Sequence, residues 1–448
     1  MSTALCLVIG WYLVRLVWPA DLLVVGRPVR AVLAVGMGMG LVSLLYFANL
    51  IVADGNGGAW ILPSEVVLLV GLVVTSWLVR IGPGTQVVVE RRPRAWGMNV
   101  LVLVAAGCAM GSFVLATLRD PHGVADALGI WNLRARLLFD SGATWRQAFA
   151  PEIAVTHPDY PLLLPGFVAR TWESLGEAST LVPAAAAFGF TFGIAGLLWA
   201  SLRRLRDDRT GCLAAAAMLG FPAFVAAGPS QNADVPLAFF FLASVALLAL
   251  HDHFARRDLR LVSLAGFAMG LAAWTKNEGL LFLVALPAVR LFAVLRRDAG
   301  SGARELAALA IGATPAVFAL LWFKLRLAPT NDLVAQVGSG RLSDRIVDPS
   351  RYAEIVQALV RETWSLGPVM GIGVLVWFVL CRAGRIWLPI AVVGVMLGGY
   401  CAVYLLTSAN LSWHLATSMQ RLLLHLLPSF VFGVFSGGFA SRGTATAA

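Results

Sequence analysis

The chain has 448 residues, of which 59% are hydrophobic and 13% are charged, about half the charged share of an average soluble domain. This composition excludes an ordinary soluble protein and predicts an integral membrane protein, because apolar runs of about 20 residues cross a bilayer as helices. The net charge of +10 is explained by Lys and Arg held in predicted cytoplasmic connections, among them 80–94, 203–209, 256–260 and 290–304, so no nucleic-acid partner is expected.

The apolar runs predict an all-α polytopic protein with about 11–13 transmembrane helices. They lie near residues 4–25, 31–52, 61–79, 97–118, 180–201, 212–228, 234–251, 261–275, 279–296, 305–323, 364–381, 386–407 and 422–440. Arg15 interrupts the first run, which also fits an interfacial helix. Segment 161–177 is interpreted as a partly embedded outer helix, since a full crossing would place the basic segment 203–209 outside.

This topology divides the chain into five regions. They are the N-terminal transmembrane helices (1–118), a large extracytoplasmic loop with juxtamembrane helices (119–179), a central transmembrane bundle (180–323), a second extracytoplasmic loop (324–362), and C-terminal transmembrane helices with a short tail (363–448). The second loop is too long for a simple connector, so we expect short surface helices in it, for instance around Tyr352 to Arg361.

The first large loop carries the acidic candidates for catalysis. Helical periodicity over residues 126–140 predicts a helix along the membrane surface, with Asp126 at its start. Its apolar face is predicted to consist of Ala127, Leu128, Trp131, Ala135, Leu138 and Phe139. The motif HPDYP follows, and its two prolines predict a stiff extended segment around Asp159 and Tyr160. Asp120, Asp126 or Asp159 could serve as a general base, with His122 and His157 nearby. The alternative is that Asp126 only caps its helix and Asp159 only forms a turn.

Two further polar motifs are predicted on the same side of the membrane. WTKNEG places Lys276, Asn277 and Glu278 between two apolar runs, where the lysine could neutralise a phosphate or simply pair with Glu278. SWHLATSMQRLLLHLLP brings His414 and Arg421 to that side, Arg421 being a second candidate phosphate ligand. His425, one turn further on, is interpreted as a packed residue, and no zinc-ligand spacing occurs.

The motifs DALGIWNLRARLLF with HPDYPLLLP, GLAAWTKNEGLLF and WHLATSMQRLLLHLLP resemble the GT-C membrane glycosyltransferases, specifically the bacterial glycosyltransferase family 39 and protein mannosyltransferase-like group. The resemblance implies transfer of a sugar from a polyprenyl-phosphate donor, with a loop carboxylate as the base. Asp126 matches the family's acidic residue by position. Relatives often carry Trp before this residue and a second acid after it, whereas this chain has Ala125 and Ala127, so a paired mechanism would need Asp120 or Asp159.

These observations lead to one hypothesis and one rival. The hypothesis is an inverting glycosyltransferase of the cytoplasmic (inner) membrane, with its site on the extracytoplasmic face and a lipid, glycan or protein as acceptor. Catalysis is assigned to Asp126 with Asp159, and substrate or phosphate binding to Arg134, Arg136, His157, Tyr160, Lys276, Asn277, Glu278, His414 and Arg421. No cofactor is identified, and a divalent cation is left open. The rival is a transporter or flippase of lipid-linked sugars.

Overall fold

The structure, a computed structural model, describes residues 2–19, 26–55, 57–79, 96–140, 142–255, 258–295, 299–330, 342–368, 372–373, 376 and 387–437. The α-helices are α1 Ser2–Leu16, α2 Arg27–Val52, α3 Gly58–Leu78, α4 Trp96–Arg119, α5 Asn132–Asp140, α6 Leu163–Leu175, α7 Leu181–Leu205, α8 Asp208–Leu219, α9 Pro222–Ala227, α10 Asp234–Phe254, α11 Arg260–Thr275, α12 Glu278–Leu295, α13 Ala299–Arg326, α14 Leu342–Val347, α15 Pro349–Ser365, α16 Trp387–Leu406 and α17 Leu411–Gly437. A π-helical segment covers Ala127–Trp131, and 3₁₀ helices cover Gly142–Phe149, Pro151–Thr156 and Gly228–Ser230. No strand occurs within these ranges.

The prediction of an all-α polytopic membrane protein is confirmed. Within the described residues, nine helices are long and apolar enough to span a bilayer, and a tenth span results if α8 and the segment Pro222–Ser230, bent by 66° relative to each other, are counted together. Two shorter apolar helices, Ala4–Leu16 and Arg260–Thr275, coincide with the predicted runs 4–25 and 261–275. The predicted span 364–381 and the basic segment 80–94 lie largely or wholly outside the described residues.

Helix α6 occupies the segment that was expected not to cross the membrane. Its 13 residues extend over about 20 Å, which is less than the hydrocarbon thickness of roughly 30 Å. The helix is nevertheless deeply packed, because Arg170 forms a buried ion pair with Glu65 of α3, each side chain being no more than 2% exposed. Burying both charges together avoids the desolvation cost of an unpaired one. Helix α6 is thereby fixed against the N-terminal spans.

The predicted helix over 126–140 is present as the π segment followed directly by α5. Ala127, Trp131, Ala135 and Leu138 form its buried face, as the periodicity indicated. Leu128, which was expected on the same face, is 56% exposed. The expectation was wrong there because a π-helical turn contains more residues than an α-helical one and rotates the register of the side chains.

The HPDYP segment is a compact turn, so the prediction of an extended segment was wrong. The backbone N–H of Tyr160 donates to the carbonyl of His157 at 3.0 Å, and His157 has a left-handed φ of 50°. Proline is favoured at the second position of such a turn because its φ is fixed. The rings of His157, Tyr160 and Trp131 stack in sequence, with centroids 4.8 Å and 5.5 Å apart. This stack packs the turn against the π segment.

The central helix α10 carries a paired carboxylate near each end. Asp234 begins the helix, and Asp252 lies in its last turn, about 27 Å away along the axis. Asp252 accepts two hydrogen bonds of 2.7 Å from the buried Arg290 of α12, which also binds Glu305 of α13. The cluster includes Arg290 and adjoins Asp258 through its contact with His251, and both residues belong to the predicted cytoplasmic connections 290–304 and 256–260. The clusters at Asp234 and Asp252 therefore lie at opposite ends of the bundle.

Candidate active site

Asp234 is the centre of the polar cluster at the first end of α10. Its Oδ1 accepts hydrogen bonds from Lys276 Nζ at 2.9 Å and His425 Nε2 at 2.7 Å, and its Oδ2 accepts one from Arg421 Nε at 2.8 Å. Because a carboxylate only accepts, Nε2 of His425 carries the proton. The side chain of Asp234 is 4% exposed, and a charge so deeply buried is stable only when it is paired.

Arg421 joins Asp234 to the surface loop. Its Nη1 donates to Oδ2 of Asp126 at 2.5 Å, while its Nε remains bonded to Asp234. Asp126 forms no side-chain capping bond at the start of its helix, so the cap alternative does not describe its contacts. The Asp126 and Arg421 side chains are 39% and 32% exposed, which makes them the accessible part of the cluster.

Lys276 lies between two carboxylates. Helix α11 ends at Thr275, Lys276 adopts an extended conformation, and α12 begins at Glu278. This sharp junction directs the Lys276 ammonium to Asp234 at 2.9 Å and to Glu278 at 2.8 Å. The pairing with Glu278 that the sequence allowed is observed, but it accompanies the pairing with Asp234. Lys276 is therefore a buried element of the cluster.

A second group of contacts ties the HPDYP turn to the WTKNEG junction. Asn277 Nδ2 donates to the Asp159 carboxylate at 2.7 Å. Lys324, near the end of α13, donates to the backbone carbonyl of Asp159 at 2.5 Å and to Asn277 Oδ1 at 2.8 Å. The Asp159 side chain is 8% exposed. These bonds hold the HPDYP turn against the WTKNEG junction. The side chain of Asp159 is therefore less accessible to solvent than that of Asp126.

The remaining predicted residues occupy different surroundings. Arg134 is buried behind the turn, where it donates to the carbonyls of Thr156 and Pro158, and burial lowers its pKa to about 10. Arg136 pairs with Asp140 on the surface. Burial raises the pKa of Tyr160, which also interacts electrostatically with Glu278 and Lys276.

His414 and His157 are also set apart from the charged cluster. The ring of His414 packs against Tyr404 with centroids 4.9 Å apart, two helical turns before Arg421. His157 takes part in the aromatic stack that holds the turn. Neither histidine makes a hydrogen bond or ion pair with Asp126, Asp234 or Arg421 within the described part of the chain.

Sequence reasoning missed Asp234 and Lys324 and interpreted His425 as a packed residue. Asp234 lies in GPSQNADVP, one of the connections assigned to the same face as WTKNEG, but a carboxylate at the first residue of a helix is also typical of an ordinary helix start. Lys324 closes an apolar span and resembles a snorkelling lysine. The alternation of the predicted spans places Asp234 and Lys324 on the same face of the membrane as WTKNEG. This shared position was the signal from which both residues could have been found.

Both cations of the cluster are already paired with carboxylates. Asp126, Asp234 and Glu278 contribute three carboxylates, while Lys276 and Arg421 contribute two cations. An entering phosphate would therefore compete with a carboxylate for a cation, and Arg421 is the exposed one. Among the described residues, no group of three or more His, Cys, Asp or Glu side chains is arranged to hold a metal ion.

Fold and site together define an all-α polytopic membrane protein with a cluster of paired charges at one end of its helix bundle. The model of the family described as dolichyl-phosphate-mannose-protein mannosyltransferase matches residues 164–323, just over a third of the chain. This segment is thus similar to membrane mannosyltransferases of the GT-C type. The matched segment contains Asp234 and Lys276, whereas Asp126 and Arg421 lie outside it. No curated protein and no solved structure matched the chain.

Proposed function

We propose that the protein transfers a sugar from a polyprenyl-phosphate donor to a nucleophilic acceptor on the extracytoplasmic face of the cytoplasmic membrane. The observation that carries the proposal is the contact of Arg421 with both Asp126 and Asp234. It places a candidate base and a candidate phosphate ligand side by side, next to Asp234 at the start of α10. A donor with its chain in the bilayer presents its phosphate at this level.

Asp126 is the carboxylate best suited to act as the base. Asp234 is bonded to three donors and almost fully buried, and Asp159 is held by Asn277 and Lys324. Asp126 has one cationic partner and is 39% exposed. It would accept the proton of the acceptor hydroxyl as that oxygen bonds to the anomeric carbon. The bond between that carbon and the phosphate oxygen breaks, the phosphate takes the electron pair, and the configuration inverts.

Arg421 and Lys276 would stabilise the charge that develops on the departing phosphate. The bonds described for Arg421 engage Nε and Nη1, so Nη2 can donate to an incoming oxygen. As the phosphate approaches, it competes with Asp126 for the guanidinium. Donor binding would then free Asp126 from its ion pair and make it a better proton acceptor. Base activation would be coupled to the arrival of the donor.

The distribution of charge favours an enzyme over a transporter or flippase. Transporters place ionisable groups and broken helices near the membrane midplane. Here Asp234 and Glu278 are the first residues of α10 and α12, and the Arg290 group lies toward the other end of α10. The extracytoplasmic location of the Asp234 cluster is supported by Arg260 and Arg290, which belong to predicted basic connections and lie toward the opposite end of the bundle.

The experiment uses the full chain purified in detergent with a radiolabelled polyprenyl-phosphate sugar and a panel of lipid, glycan and peptide acceptors. We expect turnover without any transmembrane gradient, with a product of opposite anomeric configuration to the donor by NMR. Accumulation of labelled donor on the far side of proteoliposomes, with no product in detergent, would instead establish the transporter. A product with retained configuration would exclude the assigned single-displacement step.

A further inference from the structure

Helix α15 presents an unusual apolar stripe outside the candidate site. Tyr352, Val356, Val360 and Trp364 follow one another at intervals of four residues and are 43%, 57%, 64% and 65% exposed. A four-residue step advances about 40° around a helix, so the four side chains cover one continuous sector. Ile355 and Ala358, at 4% and 3% exposure, lie on a different sector that is packed against the protein.

The third sector of α15 is polar. Gln357 and Arg361 lie between the apolar stripe and the packed sector and are exposed; Arg361 pairs with Glu362. The helix therefore has a packed sector, an exposed apolar sector and an exposed polar sector. This three-way division is expected of a helix that rests on a protein at the boundary between lipid and water.

The contacts of α15 place it at the end of a candidate membrane span. Arg351 Nη2 donates to the carbonyls of Tyr404 and Thr407 at 2.9 Å and 3.1 Å. Arg345 of α14 donates to the carbonyl of Leu406 at 2.9 Å. These carbonyls belong to the last turn of α16 and the residue after it, and α16 is one of the candidate spans. The two arginines thus fix α14 and α15 at the level where α16 leaves the hydrocarbon.

We propose that the stripe Tyr352–Val356–Val360–Trp364 is seated in the bilayer, at the boundary between headgroups and acyl chains. Its aromatic ends suit this position, since Tyr and Trp concentrate at the membrane interface. The exposed Trp413 of α17, at 63%, extends the apolar surface on the helix against which α15 packs. Gln357 and Arg361 would face the headgroups and water.

This seating would connect the membrane surface to the candidate site. The Glu354 carboxylate accepts a hydrogen bond from Ser412, near the start of α17. Further along, Gln420 donates to Ser365 at 3.3 Å, and Gln420 immediately precedes Arg421. Helix α15 therefore braces the half of α17 that leads to the arginine. Contact of the stripe with the bilayer would fix how deeply α17 lies in the membrane, and therefore how deeply Arg421 lies in it.

The test uses spin labels in proteoliposomes of phosphatidylethanolamine and phosphatidylglycerol. A keto amino acid is introduced at Val360 or, as the matched control on the same helix, at Gln357. It is labelled through an oxime so that the five native cysteines stay unchanged. Collisions with oxygen, which partitions into lipid, are compared with collisions with a water-soluble nickel chelate. Elution of each labelled protein as a single peak in detergent controls for folding.

We expect the ratio of oxygen to nickel accessibility to be severalfold higher at 360 than at 357. Equal or greater nickel accessibility at 360 would overturn the proposal, because the stripe would then face water. Protection of position 360 from both reagents in liposomes would overturn it as well, since the stripe would then be covered by a second copy or another protein. This readout is independent of transferase activity, so its failure is separable from failure of the proposed reaction.

Discussion

The Arg421 guanidinium contacts the Asp126 carboxylate at 2.5 Å although 295 positions separate the two residues in the chain. The same side chain holds Asp234 through its Nε. Arg421 thus links the most exposed carboxylate of the cluster to the most buried one. If a donor phosphate replaces Asp126 as the partner of the guanidinium, binding of the donor also activates the base. Variants of Asp126, Arg421 and Asp234 test the two effects separately.

Asp126→Asn should lower kcat by roughly 100- to 10,000-fold, the usual contribution of a positioned general base. The KM for the donor should stay unchanged or fall, because the amide no longer competes with the phosphate for Arg421. Steady-state kinetics with the labelled donor checks both parameters. Asp120→Asn is the matched control in the same exposed loop and should keep its activity. Full activity of Asp126→Asn would remove Asp126 from the mechanism.

Arg421→Lys tests the geometry of the cation while keeping its charge. An ammonium lacks the planar fork that reaches two carboxylates in fixed directions, so donor binding should weaken by roughly tenfold to a hundredfold, in line with charge-assisted hydrogen bonds worth about 1.5–3 kcal/mol. The KM for the donor reports the change. Arg361→Lys, at a side chain that is 62% exposed, is the control. An unaltered KM for Arg421→Lys would contradict phosphate binding by the guanidinium.

Asp234→Asn should destabilise the fold as well as reduce activity. Breaking a buried pair typically costs roughly 3–5 kcal/mol, and we expect the lower end because Lys276 retains Glu278 and Arg421 retains Asp126. The loss should appear as a lower Tm in detergent. Asp140→Asn, in an exposed pair, should change stability by less than about 1 kcal/mol. A normal Tm with lost activity would instead assign Asp234 a direct role in the reaction.

The sequence predicted the distant meeting of the polar motifs because the topology constrains it. Apolar runs of spanning length alternate direction, so WTKNEG and the segment before Arg421 must share one face. Their pairing within that face could not be predicted. It depends on how α10, α11 and α17 pack, and periodicity carries no information about which carboxylate an arginine meets across hundreds of residues.

The helix in the first large loop was predicted from the sequence, but several details of that loop were predicted wrongly for local reasons. The helix over 126–140 followed from its apolar positions, but the π turn changed the exposure of Leu128. The HPDYP prolines predicted extension, whereas the hydrogen bond from Tyr160 to His157 closes a turn. Arg134, assigned to phosphate, instead binds the carbonyls of Thr156 and Pro158. These carbonyls converge only because the turn forms, so the arginine and the turn specify each other.

Lys324→Met tests whether the turn only positions the substrate. The variant removes hydrogen bonds to the Asp159 carbonyl and to Asn277, which should loosen the turn while leaving Asp126 and Arg421 in place. We therefore expect the KM for the donor or acceptor to rise more than kcat falls, with partial recovery in Lys324→Arg. Arg326→Met, at an exposed position two residues further along α13, should match the unaltered protein. A loss of kcat as large as that of Asp126→Asn, at unchanged KM, would mean that the Lys324 ammonium takes part in the chemical step.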